Sequence, residues 1–532
     1  MRRFSIVWLL AACGCVGDIG DRPPDPTCSI EAGEAPLRRL TRQEYNNTIR
    51  DLLNDDSGPA DAWLPDPIAL GFDNNAKAQV VSFQLAEQFV ASAEAVAATA
   101  MQNLALPCAE QTSACAREFI DDFVPRAYRR PLTDDDRARL MGVFGWGLSE
   151  DGFDTGIRLV LETVLQSPHF LYRVELTGVE SGELVRLDDY AIATRLSYLL
   201  WGSMPDAELF DSASRGELHT REQVRAQAER MLLDWRARDA LANFTRQWAL
   251  LDEIDDAEKD PQQFPLFSEE VKPFLKQGTT LFVDHVTFAS DKGDFEELMT
   301  ASYVFANAQT APLWGTSAAG DDFQRVDVDP AQRAGIVTDL AWLTALAKYD
   351  QSHPVARGVF VREHLLCQTL PNPPDNVEIE IPMVDPNSTT RERFSQHSAD
   401  PSCAGCHELI DPLGFGFEHY DAVGMYRDTE NGKPVDASGS IVQTEDLDGP
   451  FDGAVELAHK LAASSEVRRC FATQWYRYAF GRGETPSDGC TIDDLHARWG
   501  DRDFNLRELL IALTQTDAFF YRRPFPEEEC TP

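Results

Sequence analysis

Apolar residues in this chain recur every three to four positions rather than in alternation, so helices are the first elements that the sequence predicts. Thr41, followed three residues later by Glu44, is a capping box. The segment that it opens carries Tyr45, Ile49, Leu52 and Leu53 along one side of a helix. The same start signal returns at Pro131-Leu132-Thr133 before Asp134 to Asp136, and again at Thr220 with Gln223. Stretches rich in Ala, Leu and Arg at 188–201, 221–250 and 330–347 keep the helical period. The expected fold class is mainly α, a multidomain helical protein. Leu370-Pro371-Asn372-Pro373-Pro374 and the irregular 376–390 read as a long connection between two parts of it.

An internal echo helps to place boundaries. Gln166-Ser167-x-x-Phe170-Leu171-Tyr172-Arg173 returns as Gln515-Thr516-x-x-Phe519-Phe520-Tyr521-Arg522, each time after an apolar helical run. Tyr128 precedes the first and Tyr478 the second at nearly equal distance, each within an aromatic and arginine-rich cluster. At 532 residues the chain is long enough for several cores. The divisions expected are a leader at 1–12, a tether at 13–35 and an N-terminal helical domain at 36–106. A helical domain containing Tyr128-Arg129-Arg130-Pro131-Leu132 follows at 107–173 and a central helical domain at 174–322. The last two are a module around a cysteine motif at 323–440 and a C-terminal helical domain at 445–525.

The N-terminus carries an address. Arg2 and Arg3 precede the apolar run from Phe4 to Ala12, which is too short to span a bilayer and ends in Leu10-Ala11-Ala12-Cys13. This is the pattern of a lipoprotein signal peptide. It predicts lipidation of Cys13 and a chain tethered by its N-terminus to the cell envelope. Gly14 after that cysteine, by resemblance to bacterial lipoproteins, points to the outer membrane, on its periplasmic or surface face. Cys15 is the alternative acceptor.

Export matters because of Cys403-Ala404-Gly405-Cys406-His407. C-x-x-C-H is the spacing that holds haem covalently: two thiols add to the vinyl groups and the adjacent imidazole binds the iron. The alternatives are a local disulfide, or half of a zinc site that recruits Cys367 or a remote histidine. Taking Cys13, Cys403 and Cys406 from the 11 cysteines leaves an even eight, as expected in an oxidising compartment. Proximity pairs Cys108 with Cys115 and Cys470 with Cys490.

Charge narrows the partners. A net charge of −40 disfavours nucleic acid and anionic lipid head groups, and leaves a redox partner protein or a surface polymer. The acidic residues are dispersed, as on a solvated surface, and lack the spacing of a calcium loop. There is no G-x-S-x-G elbow, phosphate-binding glycine loop, H-E-x-x-H or second C-x-x-C-H, and no catalytic residue is assigned.

Together these pieces resemble secreted bacterial proteins built from serial domains of unknown function, of the DUF1587, DUF1595, DUF1592, DUF1588 and DUF1585 type, one of which carries a cytochrome-c-like segment. The marks are Arg39-Leu40-Thr41-x-x-Glu44-Tyr45, Tyr128-Arg129-Arg130-Pro131-Leu132, Ser167-Pro168-x-Phe170-Leu171-Tyr172-Arg173 and Arg195-Leu196-Ser197-Tyr198-x-Leu200-Trp201. His364-Leu365-Leu366-Cys367 and Cys403-x-x-Cys406-His407-x-x-Ile410-Asp411-Pro412-Leu413-Gly414 complete them. The resemblance implies a small cytochrome-c-like module, covering 323–440, within the helical protein.

The expected cofactor is one haem c, with His407 as proximal ligand. The second nitrogen of His407 needs an acceptor, and the Pro412 carbonyl is the expected one, by resemblance to the Pro-x-x-Gly segment of small cytochromes c. Met425, His397, His419 and His459 compete for the sixth position, or it stays open. The function expected is electron transfer or haem-based redox chemistry at the cell envelope. The alternative is a non-haem surface binding or structural lipoprotein in which Cys403 and Cys406 form a disulfide.

Overall fold

Thr41, Thr133 and Thr220 each cap a helix. Each side chain accepts the backbone N–H three residues on, and Glu44, Asp136 and Gln223 reach back to the cap. The helices that follow are Arg42–Leu53, Asp134–Asp151 and Arg221–Met231. The structure is a computed structural model describing residues 32–175, 177–370, 382–395 and 401–524, apart from the side chains of 401–403. The chain is mainly α. Its described strands run two to four residues each and form sheets of two or three strands.

Two of the apolar stretches depart from single helices. Residues 221–250 divide into Arg221–Met231 and Trp235–Trp248, because the Asp234 side chain accepts the Arg236 N–H and starts a second helix. Over 330–347 only the 3₁₀ turn Gly335–Thr338 and the short helix Leu340–Ala345 form. Gly335 has φ +42°, and a Cβ there would fall 2.3 Å from the Leu298 carbonyl oxygen. Its N–H donates to Ala301 at 2.7 Å, so tertiary contact overrides the local period.

The hydrophobic residues gather into two large cores. Residues from Leu40 to Leu171, with Tyr198 and Met204, make the first. Phe72 and residues from Leu187 to Phe520 make the second, so the segment with the cysteine motif shares its core with the central and C-terminal helices. Short helices expose too much of their own apolar faces to be stable alone, and this pooling buries them. Tyr198 joins the two cores. Its hydroxyl lies 2.8 Å from Thr48 Oγ1, and Arg129 and Arg173 stand over its ring. Phe72 crosses the other way and stacks on Phe244.

The sequence echo is a structural one. Helices Ser113–Tyr128, Asp134–Asp151, Phe153–Leu165 and Pro168–Leu171 lead into the strand Tyr172–Arg173. Ser465–Phe480, Gly489–Gly500, Leu506–Leu513 and Asp517–Phe520 lead likewise into Tyr521–Arg522. Each first helix ends on a left-handed residue, Arg129 or Gly481. The arginine after it meets an aspartate six residues on, Arg130 with Asp136 at 2.9 Å and Arg482 with Asp488 at 2.7 Å. A guanidinium also caps each last short helix. Arg129 Nη2 donates to the carbonyls of His169, Phe170 and Tyr172, and Arg195 Nη1 to those of Ala518 and Phe519. By these landmarks Tyr128 corresponds to Phe480, two residues beyond the Tyr478 that sequence spacing suggests.

Candidate functional site

Spacings of three and four bring Cys403, Cys406 and His407 to one face of the helix Pro401–Phe415. Cys406 is a free, half-buried thiol. One turn further along, Asp411 Oδ1 lies 2.8 Å from His407 Nδ1. The Asp411 side chain is 5% exposed, and its Oδ2 is buried without a hydrogen-bond partner. This hydrogen bond is the main cause of a raised His407 pKa, with burial opposing it. With Nδ1 donating to the carboxylate, the ring's lone pair stands on Nε2.

Close packing fixes this helix in place. It crosses the helix Pro354–Phe360 with a glycine on each side of the contact: a Cβ on Gly358 would fall 2.2 Å from the Ile410 carbonyl oxygen, and one on Gly414 would fall 1.9 Å from that of Pro354. Arg362 Nε donates to the Leu409 carbonyl at 3.0 Å. The fully buried Arg357 donates to the carbonyls of Leu343, Phe417, Tyr420 and Asp421, tying the end of the helix to the loop beyond it. Burial lowers its pKa to about 10. Among the described residues nothing lies within 4 Å of a Cβ built on Gly405.

The acceptor on His407 is therefore Asp411 and not the Pro412 carbonyl. Pro412 continues the helix instead of entering a loop, and its carbonyl packs against Gly439 on the strand Ser438–Ile441. The i,i+4 spacing of His407 and Asp411 was a readable signal, passed over because the resemblance to small cytochromes c pointed to the Pro412 carbonyl.

Of the residues considered for the sixth position, Met425 sits in a turn whose N–H donates to Asp421, and its side chain packs against the large core. His419 Nδ1 is 2.9 Å from the Arg427 carbonyl, and its ring stacks on Tyr426. His459 is exposed on the helix Gly453–Ala463. His397 and Cys13 lie outside the described residues.

Cys108 is bonded to Cys115, with 5.7 Å between their Cα atoms. Cys470 is bonded to Cys367 at 5.4 Å and not to Cys490, which is itself disulfide-bonded. The reason is tertiary: Gln474, one turn beyond Cys470, donates to the carbonyls of Glu363 and His364, so the 361–367 segment lies against its helix. This pairing also takes away the thiol that a zinc site at Cys403 and Cys406 would recruit.

A separate cleft of about 1250 Å³ opens between the two repeated units, bordered by Arg130, His169, His219, Arg221 and Phe520. His219 Nδ1 lies there 2.6 Å from Asp189. The cleft includes none of the residues from Cys403 to Met425.

Five family descriptions match the chain in order. They are Protein of unknown function (DUF1587) over residues 38–102, (DUF1595) over 115–175, (DUF1592) over 187–316, (DUF1588) over 333–430 and (DUF1585) over 448–519. The chain belongs to this family of serial domains of unknown function. Its DUF1588 part, which bears the short name PSCyt3, contains the whole run from Cys403 through Asp411 to Met425. No curated relative and no solved structure matches the chain.

The donor set fits a c-type haem. Cys403, Cys406 and His407 have the C-x-x-C-H spacing on one helix, the Cys406 thiol is free, and the imidazole is already oriented by a carboxylate.

Proposed function

We propose that this DUF1588-containing chain is an exported lipoprotein carrying one covalent c-type haem, used for electron transfer or haem-based redox chemistry at the cell envelope. The observation that carries the reading is the placement of Cys403, Cys406 and His407 on one face of a clamped helix, with His407 oriented by Asp411. When bound, the haem supplies a one-electron iron couple. Cys403 and Cys406 hold it covalently and His407 binds the iron. Asp411 keeps the imidazole in one tautomer. The Gly358 and Gly414 contacts and the bond from Arg362 hold the backbone beneath it. For the sixth position Met425, His397, His419 and His459 are the candidates, along with an open one, and the packing of Met425 against the large core argues against its sulfur.

Disulfides support an oxidising compartment, as does the lipoprotein signal ending at Cys13. We assign the chain to the outer membrane by its lipid, with a redox protein or a surface polymer as partner. Among the described residues no helix is long and apolar enough to cross a membrane.

The deciding experiment is a haem stain of the denatured protein after expression with the haem-attachment machinery. Covalent haem that disappears in the Cys403→Ser, Cys406→Ser double variant is expected. A stain-free wild type overturns the reading and leaves the non-haem surface protein. Lipid labelling tests the anchor: Cys13→Ala loses it, and labelling at the wild-type level rules Cys13 out.

A further inference from the structure

We propose that Asp411 is a positioning residue that lowers the reduction potential of the iron through His407; the proposal rests on the haem c reading above. A backbone carbonyl at this place would accept a hydrogen bond from neutral imidazole. A carboxylate does more, because it draws the Nδ1 proton and pushes electron density through the ring toward Nε2. A more basic ligand stabilises the ferric iron, which carries the higher charge.

Three features of the pair strengthen this effect. Asp411 Oδ1 is 2.8 Å from His407 Nδ1, the length of a charge-assisted hydrogen bond. The side chain is 5% exposed, so water does not screen its charge. Its Oδ2 is buried without a hydrogen-bond partner, which leaves the imidazole as the donor that answers the carboxylate. The two residues also stand one turn apart on a helix held by Gly358, Gly414 and Arg362, so the spacing is a property of the clamped backbone.

A haem tuned this way rests in the ferric state and suits reaction with a small ligand or oxidant better than high-potential electron carriage. The same carboxylate explains why the chain has no need of Pro412 in the role that its position suggests.

The test uses the haem-loaded full chain as wild type, Asp411→Asn, Asp411→Ser and Asp411→Glu. Haem content is measured first by pyridine haemochrome, then the potential by spectroelectrochemical titration, and the iron–histidine stretch of the ferrous form by resonance Raman. Asn and Ser should shift the ferric-to-ferrous equilibrium at least tenfold toward ferrous, about 59 mV upward for a one-electron couple, and lower the stretch frequency. Glu should stay nearer the wild type, because it keeps the charge. Loaded neutral variants with wild-type potential and stretch overturn the proposal while leaving the haem reading intact. Absence of covalent haem from the wild type overturns both. Ser provides the second neutral side chain if the Asn variant fails to fold.

Discussion

Gly414 lies so close beneath Pro354 that a Cβ on it would fall 1.9 Å from the Pro354 carbonyl oxygen. Two backbones meet there without a side chain between them, and neither is free to withdraw: one belongs to the helix that carries Cys406 and His407, the other to the helix whose Arg357 binds four carbonyls. We expect Gly414→Ala to force the helices apart and destabilise the protein by about 1–3 kcal/mol, with less haem attached. Gly405→Ala is the control on the same helix. Its Cβ meets no described residue within 4 Å, so it should leave stability unchanged or raise it by up to about 1 kcal/mol. Denaturant midpoints of the two variants decide; equal losses would mean that the contact is not what matters.

The bond from Cys367 to Cys470 closes 103 residues of chain and staples the 361–367 segment to a C-terminal helix. Removing it with a Cys367→Ser, Cys470→Ser double variant should cost about 2–5 kcal/mol, more than loss of the bond from Cys108 to Cys115, which closes only seven. Peptide mapping without reduction should find Cys367 linked to Cys470. A Cys470 to Cys490 peptide would contradict this arrangement.

His364 titrates in a telling direction. Burial, the largest cause, lowers its pKa to about 4, while its Nδ1 lies 3.0 Å from the Trp248 carbonyl and its ring stacks on Phe360. Unfolded, it takes a proton near pH 6.5, so native stability is lost as pH falls from 6.5 toward 4. Asp73 and Asp339, raised to about 6 mainly by burial, act with opposite sign over much of the same window, so the comparison has to be between variants. We expect the stability of wild type relative to His364→Phe to fall by roughly 1–2 kcal/mol between pH 7.5 and pH 5. A pH-independent difference in denaturant midpoint would refute the assignment.

Met425 is occupied with packing. Its side chain lies against the large core, and the Gly424 before it rests on Leu340 and Leu343. We expect Met425→Ala to lower stability by about 1 kcal/mol and to leave the absorption spectrum, potential and carbon monoxide kinetics of the haem-loaded chain unchanged. Faster carbon monoxide binding with a lower potential would instead identify its sulfur as the sixth ligand.

Helix starts were legible because a capping box is a contact between residues three apart, complete before anything else folds. Thr41 with Glu44, Thr133 with Asp136 and Thr220 with Gln223 needed no partner beyond their own turn. The mainly helical class and the repeated Phe-x-Tyr-Arg ends came from the same short-range periodicity. The C-x-x-C-H spacing was legible too, but not the helix that carries it, which runs on through Pro412.

By itself the sequence determined what neighbouring residues decide among themselves: where helices begin, which side of each is apolar, and which thiols and imidazole stand together. Tertiary structure alone decided that Cys470 bonds to Cys367, that Gly335 breaks an otherwise helical stretch against Leu298, and that the Pro412 carbonyl packs against Gly439 while Asp411 takes His407. Such outcomes depend on which distant backbones come within a few ångströms after packing, and local spacing carries no record of that distance.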